Sequence, residues 1–178
     1  MRRKLQNSEL NRLSIDEFKQ MQKLPIVVVL DNIRSQHNIG AAFRTGDAFR
    51  IESIFLCGIS STPPNAEIHK SALGAEDSVA WQYFENPVDA INLLKQKGYT
   101  ITSIEQTADS LMLNKFVPNT NKKYALVFGN EVRGISQFVV DASDLCIEIP
   151  QEGTKHSLNV SVSIGIVLWD FYRFYANV

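Results

Sequence analysis

At 178 residues, 44% apolar and 21% charged, the chain has the make-up of one soluble globular domain, large enough to bury roughly two-thirds of its unfolded surface. A net charge of −1 disfavours a bulk electrostatic nucleic-acid binder, and no apolar run reaches the roughly 18–20 residues of a membrane span. Two distant cysteines, Cys57 and Cys146, exclude a disulfide framework and read as small buried hydrophobes.

The N-terminus, MRRKLQNSELNRLS, is basic through Arg2, Arg3, Lys4 and Arg12, with Lys19 and Lys23 following. No apolar segment stands behind it, so it does not read as a secretory signal, and a cytoplasmic location is expected. Charge alone leaves two readings of this cluster, a solvated terminus and an RNA-contacting arm. Ser14 and Glu17 have capping-box spacing, which predicts a short helix over 15–22 ending before Pro25. The run IVVVL at 26–30 reads as a strand buried on both faces. A polar loop over 31–37 leads to a helix over 38–50, with Asn38 as its cap and Ile39, Ala42, Phe43 and Phe49 as its apolar contacts.

A second buried strand is expected over 53–57, a loop over 58–65, and a short helix over 66–75 broken at Gly74. Residues 79–84 read as a strand. Asn86-Pro87 caps a helix to Lys97 that Gly98 stops, and 99–104 is another strand. Residues 105–123 give no clear pattern. A strand over 124–128, a loop over 129–134 and a helix over 135–142 follow, then a last strand over 146–149 stopped by Pro150. A polar loop over 151–156 precedes a long small-residue and apolar helix over 157–175. Strands alternating with helices predict an α/β fold, a mostly parallel sheet with helices on both faces.

Several chemistries find no support. His37, His69 and His156 stand at no zinc-type spacing with either cysteine, so no metal site is expected. No Gly-x-Ser-x-Gly elbow is present. Gly129 and Gly134 have the separation of a phosphate loop, but Ile135 stands where its lysine belongs. No Gly-x-Gly-x-x-Gly follows the first strand. Three polar clusters remain, each directly after an apolar strand: Asn38 to Gly46, with Gly40 expected to leave room on a shared helix face beside Arg44; Phe128 to Gly134, which sets Glu131 in a glycine-bounded loop; and Ser157, Asn159, Ser161 and Ser163 at alternate positions. Each alone fits a cap, a turn or small-residue packing. Together they lie where strand ends of a parallel sheet converge.

At these clusters the sequence resembles the SpoU/TrmH family of RNA 2′-O-ribose methyltransferases, of the SPOUT class. The first family motif resembles Asn38-x-Gly40-x-x-x-Arg44-Thr45, the second Gly129-x-Glu131-x-x-Gly134, and the third Ile149-Pro150 followed by Ser157-Leu158-Asn159-Val160-Ser161-Val162. Gln151 and Ser163 stand where the family often has Met and Ala. The resemblance implies an α/β knot, a single methyltransferase domain over 25–178 whose C-terminal part is threaded into a trefoil knot, with residues 1–24 as a basic extension with a short helix. It implies S-adenosyl-L-methionine as cofactor, contacted by Gly129, Ile149 and Leu158 with Ser157 supporting the loop. The long helix would then begin just after Leu158.

The resemblance also implies a homodimer paired through the knot region, with Arg44 serving the partner's cofactor, and RNA as the substrate. Transfer RNA is expected over ribosomal RNA, since only a short segment precedes the first strand. Arg44, Glu131, Asn159 and Asn38 are the implied catalytic set. A guanidinium stays protonated, so Arg44 is expected to clamp a phosphate and favour a developing alkoxide rather than act as a base, with Glu131 orienting it or pairing with backbone amides. A non-catalytic RNA-binding or assembly factor of the same fold is the alternative. The C-terminal aromatics, Trp169 and Tyr172 among them, read as core or dimer packing because of their helical spacing.

Overall fold

The computed structural model describes residues 2–176. Ser14 caps α1 (Ile15–Gln20) with a complete capping box: the Glu17 amide donates to Ser14 Oγ at 3.3 Å, and the Ser14 amide donates to Glu17 Oε2 at 2.7 Å. Strand β1 (Leu24–Asp31) is buried from Ile26 onward. Its side chains alternate between two cores, as the two-residue period requires. Ile26, Val28 and Leu30 join one cluster with Ile39, Phe43, Ile68, Ile164 and Phe171, whereas Val27 and Val29 join another with Ile91, Leu94 and Val139. Each such fully buried aliphatic side chain contributes about 1.5–3 kcal/mol.

Helix α2 (Gln36–Ala48) begins two residues before the predicted start, because Ser35 Oγ accepts the Asn38 amide and is the actual cap. Asn38 therefore lies in the first turn with its side chain free for another partner. After β2 (Ile51–Cys57) come α3 (Ala66–Ala72), capped by Asn65, and α4 (Ala75–Ser78). The break between them falls at Leu73 and Gly74, both at positive φ. Strand β3 (Ala80–Phe84), α5 (Pro87–Gln96) capped by Asn86, and β4 (Tyr99–Ile104) follow the expected order. The unpatterned region holds a two-residue strand, β5 (Leu111–Met112), and a single 3-10 turn, Leu113–Lys115. The chain ends with β6 (Lys123–Gly129), α6 (Gln137–Ala142), β7 (Leu145–Glu148) and α7 (Val160–Tyr175).

The seven strands lie in the order β3-β2-β1-β6-β4-β7-β5, and every pair is parallel. Helices α2, α3 and α7 contribute to the first core and α5 and α6 to the second, so both faces are covered. The centre of the sheet is a switch point: β1 leads into α2 on one face, and its neighbour β6 leads into α6 on the other. Loops diverging from adjacent strands leave a crevice at their carboxyl ends. Among the described residues no helix is long and apolar enough to cross a membrane.

Candidate active site

At the switch point the loop after β6 closes on itself. The Asn130 amide donates to Gly134 O at 2.9 Å and the Gly134 amide returns to Asn130 O at 2.8 Å. Gly134 has φ +68°, and a side chain at Gly129 would meet the Ile135 nitrogen at 2.1 Å, so the bend requires both glycines. Two carboxylates at the carboxyl ends of the flanking strands pin its exit: Asp31, the last residue of β1 and fully buried, accepts the Ser136 amide at 2.8 Å, and Glu105, just after β4, accepts the Ile135 amide at 3.0 Å. Neither was singled out in the sequence, nor was Asn130, whose side chain accepts the Val132 amide and donates to Asn32 O at 2.7 Å.

This loop presents Glu131 to the start of α2. Its carboxylate accepts the amides of Arg34 and Ser35 and the Asn38 side-chain Nδ2, each at 3.0 Å. Asn159 Nδ2 donates in turn to Asn38 Oδ1 at 3.3 Å, while Asn159 Oδ1 caps α7 by accepting the Ser161 amide at 2.9 Å. One directional chain, Asn159 to Asn38 to Glu131, thus joins the three sequence clusters. Partial burial pushes the Glu131 carboxyl up, but the donors from Arg34, its own backbone amide, Asn38 and Ser35 together outweigh it and hold it below the usual carboxylate range. Of the two partners expected for Glu131, it takes the backbone amides.

A cleft of about 1350 Å³ opens beside this network, lined by Gly129, Glu131, Ile149, Ser157, Leu158 and Asn159 among others. The four residues expected to hold a cofactor all face it. The long helix starts at Val160, so Ser157 and Leu158 belong to the preceding loop and Asn159 is its cap. Residues 151–159 are all exposed, and Gln106 Nε2 donating to His156 O at 3.1 Å ties that loop to the strand edge. Cys146 is only partly buried and lines the cleft, unlike Cys57, whose burial beside Asp31 pushes its thiol up to about 12. The cleft is rich in carboxylates, with Glu105, Asp109, Glu131, Asp141, Asp144 and Glu148 against Arg133 and His156. Apolar side chains, Ile104, Ile135, Ile149 and Leu158 among them, share the lining, and acceptor carboxylates beside apolar walls suit a cation joined to a flat aromatic group.

Arg44 lies elsewhere. It is exposed on α2, two turns beyond Asn38, and lines a separate groove with residues 10–15. Gly40 does not make room for its guanidinium. A side chain there would meet Ser71 Oγ at 2.1 Å and Ile68 O at 2.3 Å, so the glycine instead lets α3 press against α2. Among the described residues Arg44 has no ion pair.

A wholly parallel, doubly covered sheet with a polar crevice at its central switch point defines an α/β ligand-binding enzyme fold. Residues 25–169 match the SpoU rRNA Methylase family, and the chain belongs to it. It is 31% identical over 158 residues to the 23S rRNA (guanosine-2′-O-)-methyltransferase RlmB of Neisseria meningitidis, covering 89% of this chain and 62% of that protein. The crystal structure of the A. aeolicus TrmH/SpoU tRNA modifying enzyme superposes with a TM-score of 0.81 at 27% identity, covering 92% of this chain and 81% of that one. An AdoMet-bound rRNA methyltransferase from Sinorhizobium meliloti superposes at 0.76 and 26%, covering 91% and 60%. The chain thus spans less than two-thirds of two of these three relatives.

Proposed function

We propose that this chain transfers a methyl group from S-adenosyl-L-methionine to a ribose 2′-hydroxyl of RNA. The observation that carries this reading is the hydrogen-bonded chain from Asn159 through Asn38 to Glu131, whose two ends line an acid-rich cleft. Gly129, Ile149, Leu158 and Ser157 would hold the cofactor there. When bound, it supplies a methyl group on a sulfonium, a leaving group that needs no acid. The protein's task is then to place the hydroxyl in line and favour its ionised form.

Glu131, locked by three donors, holds the start of α2 and so sets Asn38, which with Asn159 orients the ribose. Arg44 clamps the adjacent phosphate and stabilises negative charge on the oxygen, while a phosphate oxygen or water takes the proton. Arg44 acts across a homodimer on the partner's site. Two features support this: its distance from the cleft network, and the exposed stripe of Val162, Ile166 and Trp169 on α7, at helical spacing beside the cofactor loop. With this reading go a trefoil knot in the C-terminal part, a methyltransferase domain over 25–178, an appended extension over 1–24, and a cytoplasmic setting. Transfer RNA is the favoured substrate, since the tRNA-modifying relative superposes at a TM-score of 0.81 against 0.76 for the rRNA methyltransferase.

Arg44→Ala should keep cofactor binding by calorimetry and lose most labelled-methyl incorporation into RNA, on the order of a hundredfold or more, as removal of one charge-stabilising donor does elsewhere. Parallel loss of both would refute the assignment. Nuclease digestion and mass spectrometry of the product separates ribose from base methylation.

A further inference from the structure

The groove that holds Arg44 has a composition unlike the rest of the molecule. It measures about 560 Å³ and shares no lining residue with the cofactor cleft. Three arginines line it, each from a different segment: Arg12 from the stretch before α1, Arg44 from α2, and Arg50 from the turn after α2. Its one carboxylate, Asp47, already accepts Ser78 Oγ at 2.6 Å. None of the three guanidiniums is ion-paired among the described residues. Lys23 adds a fourth cation close by, its ammonium over the ring of groove-lining Phe18.

Unpaired like charges around one gap repel, and a chain of net charge −1 has no general excess of cations to explain them. A polyanion entering the groove would relieve that repulsion and release its own counterions. Arg44 links the groove to the reaction: a residue that clamps the phosphate beside the target ribose must have the next phosphates of the strand within reach of its neighbours.

We propose that Arg12 and Arg50 bind the RNA phosphates flanking the one held by Arg44, making this groove the backbone track for the substrate strand. The proposal rests on the ribose-methylating reading and names its substrate-positioning residues. The track carries no base specificity, because phosphates bear none.

The test uses the full chain, unfractionated transfer RNA as probe, and binding measured by anisotropy over about 50–200 mM KCl. Arg12→Ala and Arg50→Gln should each weaken RNA binding roughly three- to tenfold and flatten the log–log salt slope by about 0.7. Arg12→Lys should recover most of the slope, since it restores the charge. Calorimetric binding of S-adenosyl-L-methionine should match wild type in every variant, which also shows that each is folded. Lys95→Ala, exposed on α5, is the control and should change little.

A wild-type slope in both arginine variants, or a loss no greater than that of Lys95→Ala, would overturn the proposal. So would a changed sedimentation coefficient in those variants, which would make the groove a contact between copies. An absence of methyl transfer by the wild-type protein would defeat the enzymatic reading instead, and the salt slopes remain readable without it.

Discussion

Glu131 shows how one carboxylate can serve as scaffold. Its two oxygens take three donors from a segment more than ninety residues away, and they hold the carboxyl below its usual range against the opposing effect of burial. The unfolded chain therefore binds more protons than the folded one just below the ordinary value of roughly 4.3, and stability falls as pH drops through the folded value. Glu131→Gln should unfold in urea about 1 kcal/mol more easily than wild type near pH 7, allowing for solvent screening at an exposed site, and the gap should narrow at acid pH as Glu131 is protonated. An equal gap at neutral and acid pH would mean the ionised form carries no special weight. Glu131, Asn38 and Asn159 were legible because motif and strand end coincided. Asp31 and Glu105 were not: their partners are backbone amides, Ser136 lying 105 residues from Asp31, and an amide leaves no mark on a sequence.

Among the elements, the contact of α2 with α3 turns on Gly40. Adding a methyl group there would drive Cβ into Ile68 O and Ser71 Oγ, and neither helix backbone can yield without moving the Leu73–Gly74 turn beside Arg44. Gly40→Ala should cost about 2 kcal/mol, lowering Tm by about 4–8 °C for a chain of this size. Gly165→Ala in α7, with nothing within 4 Å of the new Cβ, should leave the monomer as stable or more so, by up to about 1 kcal/mol. Equal Tm shifts would show that helix propensity, not the close approach, governs Gly40. The Ser14 capping box and the Asn86-Pro87 start were readable because both signals are local. Asn38 was mistaken for a cap since Ser35, three residues earlier, is an equally good one and only the fold chooses. Residues 105–123 were unreadable because β5 has two residues, too few to show a period.

On the scale of the whole molecule, sequence pattern identified strands without giving their neighbours. Nothing local says that β6 inserts between β1 and β4, yet that insertion places Glu131 beside Asn38. If Arg44 serves the partner's site, co-expressed Arg44→Ala and Asn159→Ala chains should recover about a quarter of wild-type methyl transfer, because half the dimers carry one intact site. No recovery over the single variants would assign Arg44 to its own subunit. The same insertion also sets a timetable for synthesis. Ile26 pairs in register with Tyr124, so the most apolar strand must wait for a partner nearly a hundred residues downstream. At about 5–20 residues per second that is roughly 5–20 s during which IVVVL has β2 as its sole strand partner. The nascent chain is thus most vulnerable to aggregation before its sixth strand is made, and shielding by a chaperone would matter most in that interval.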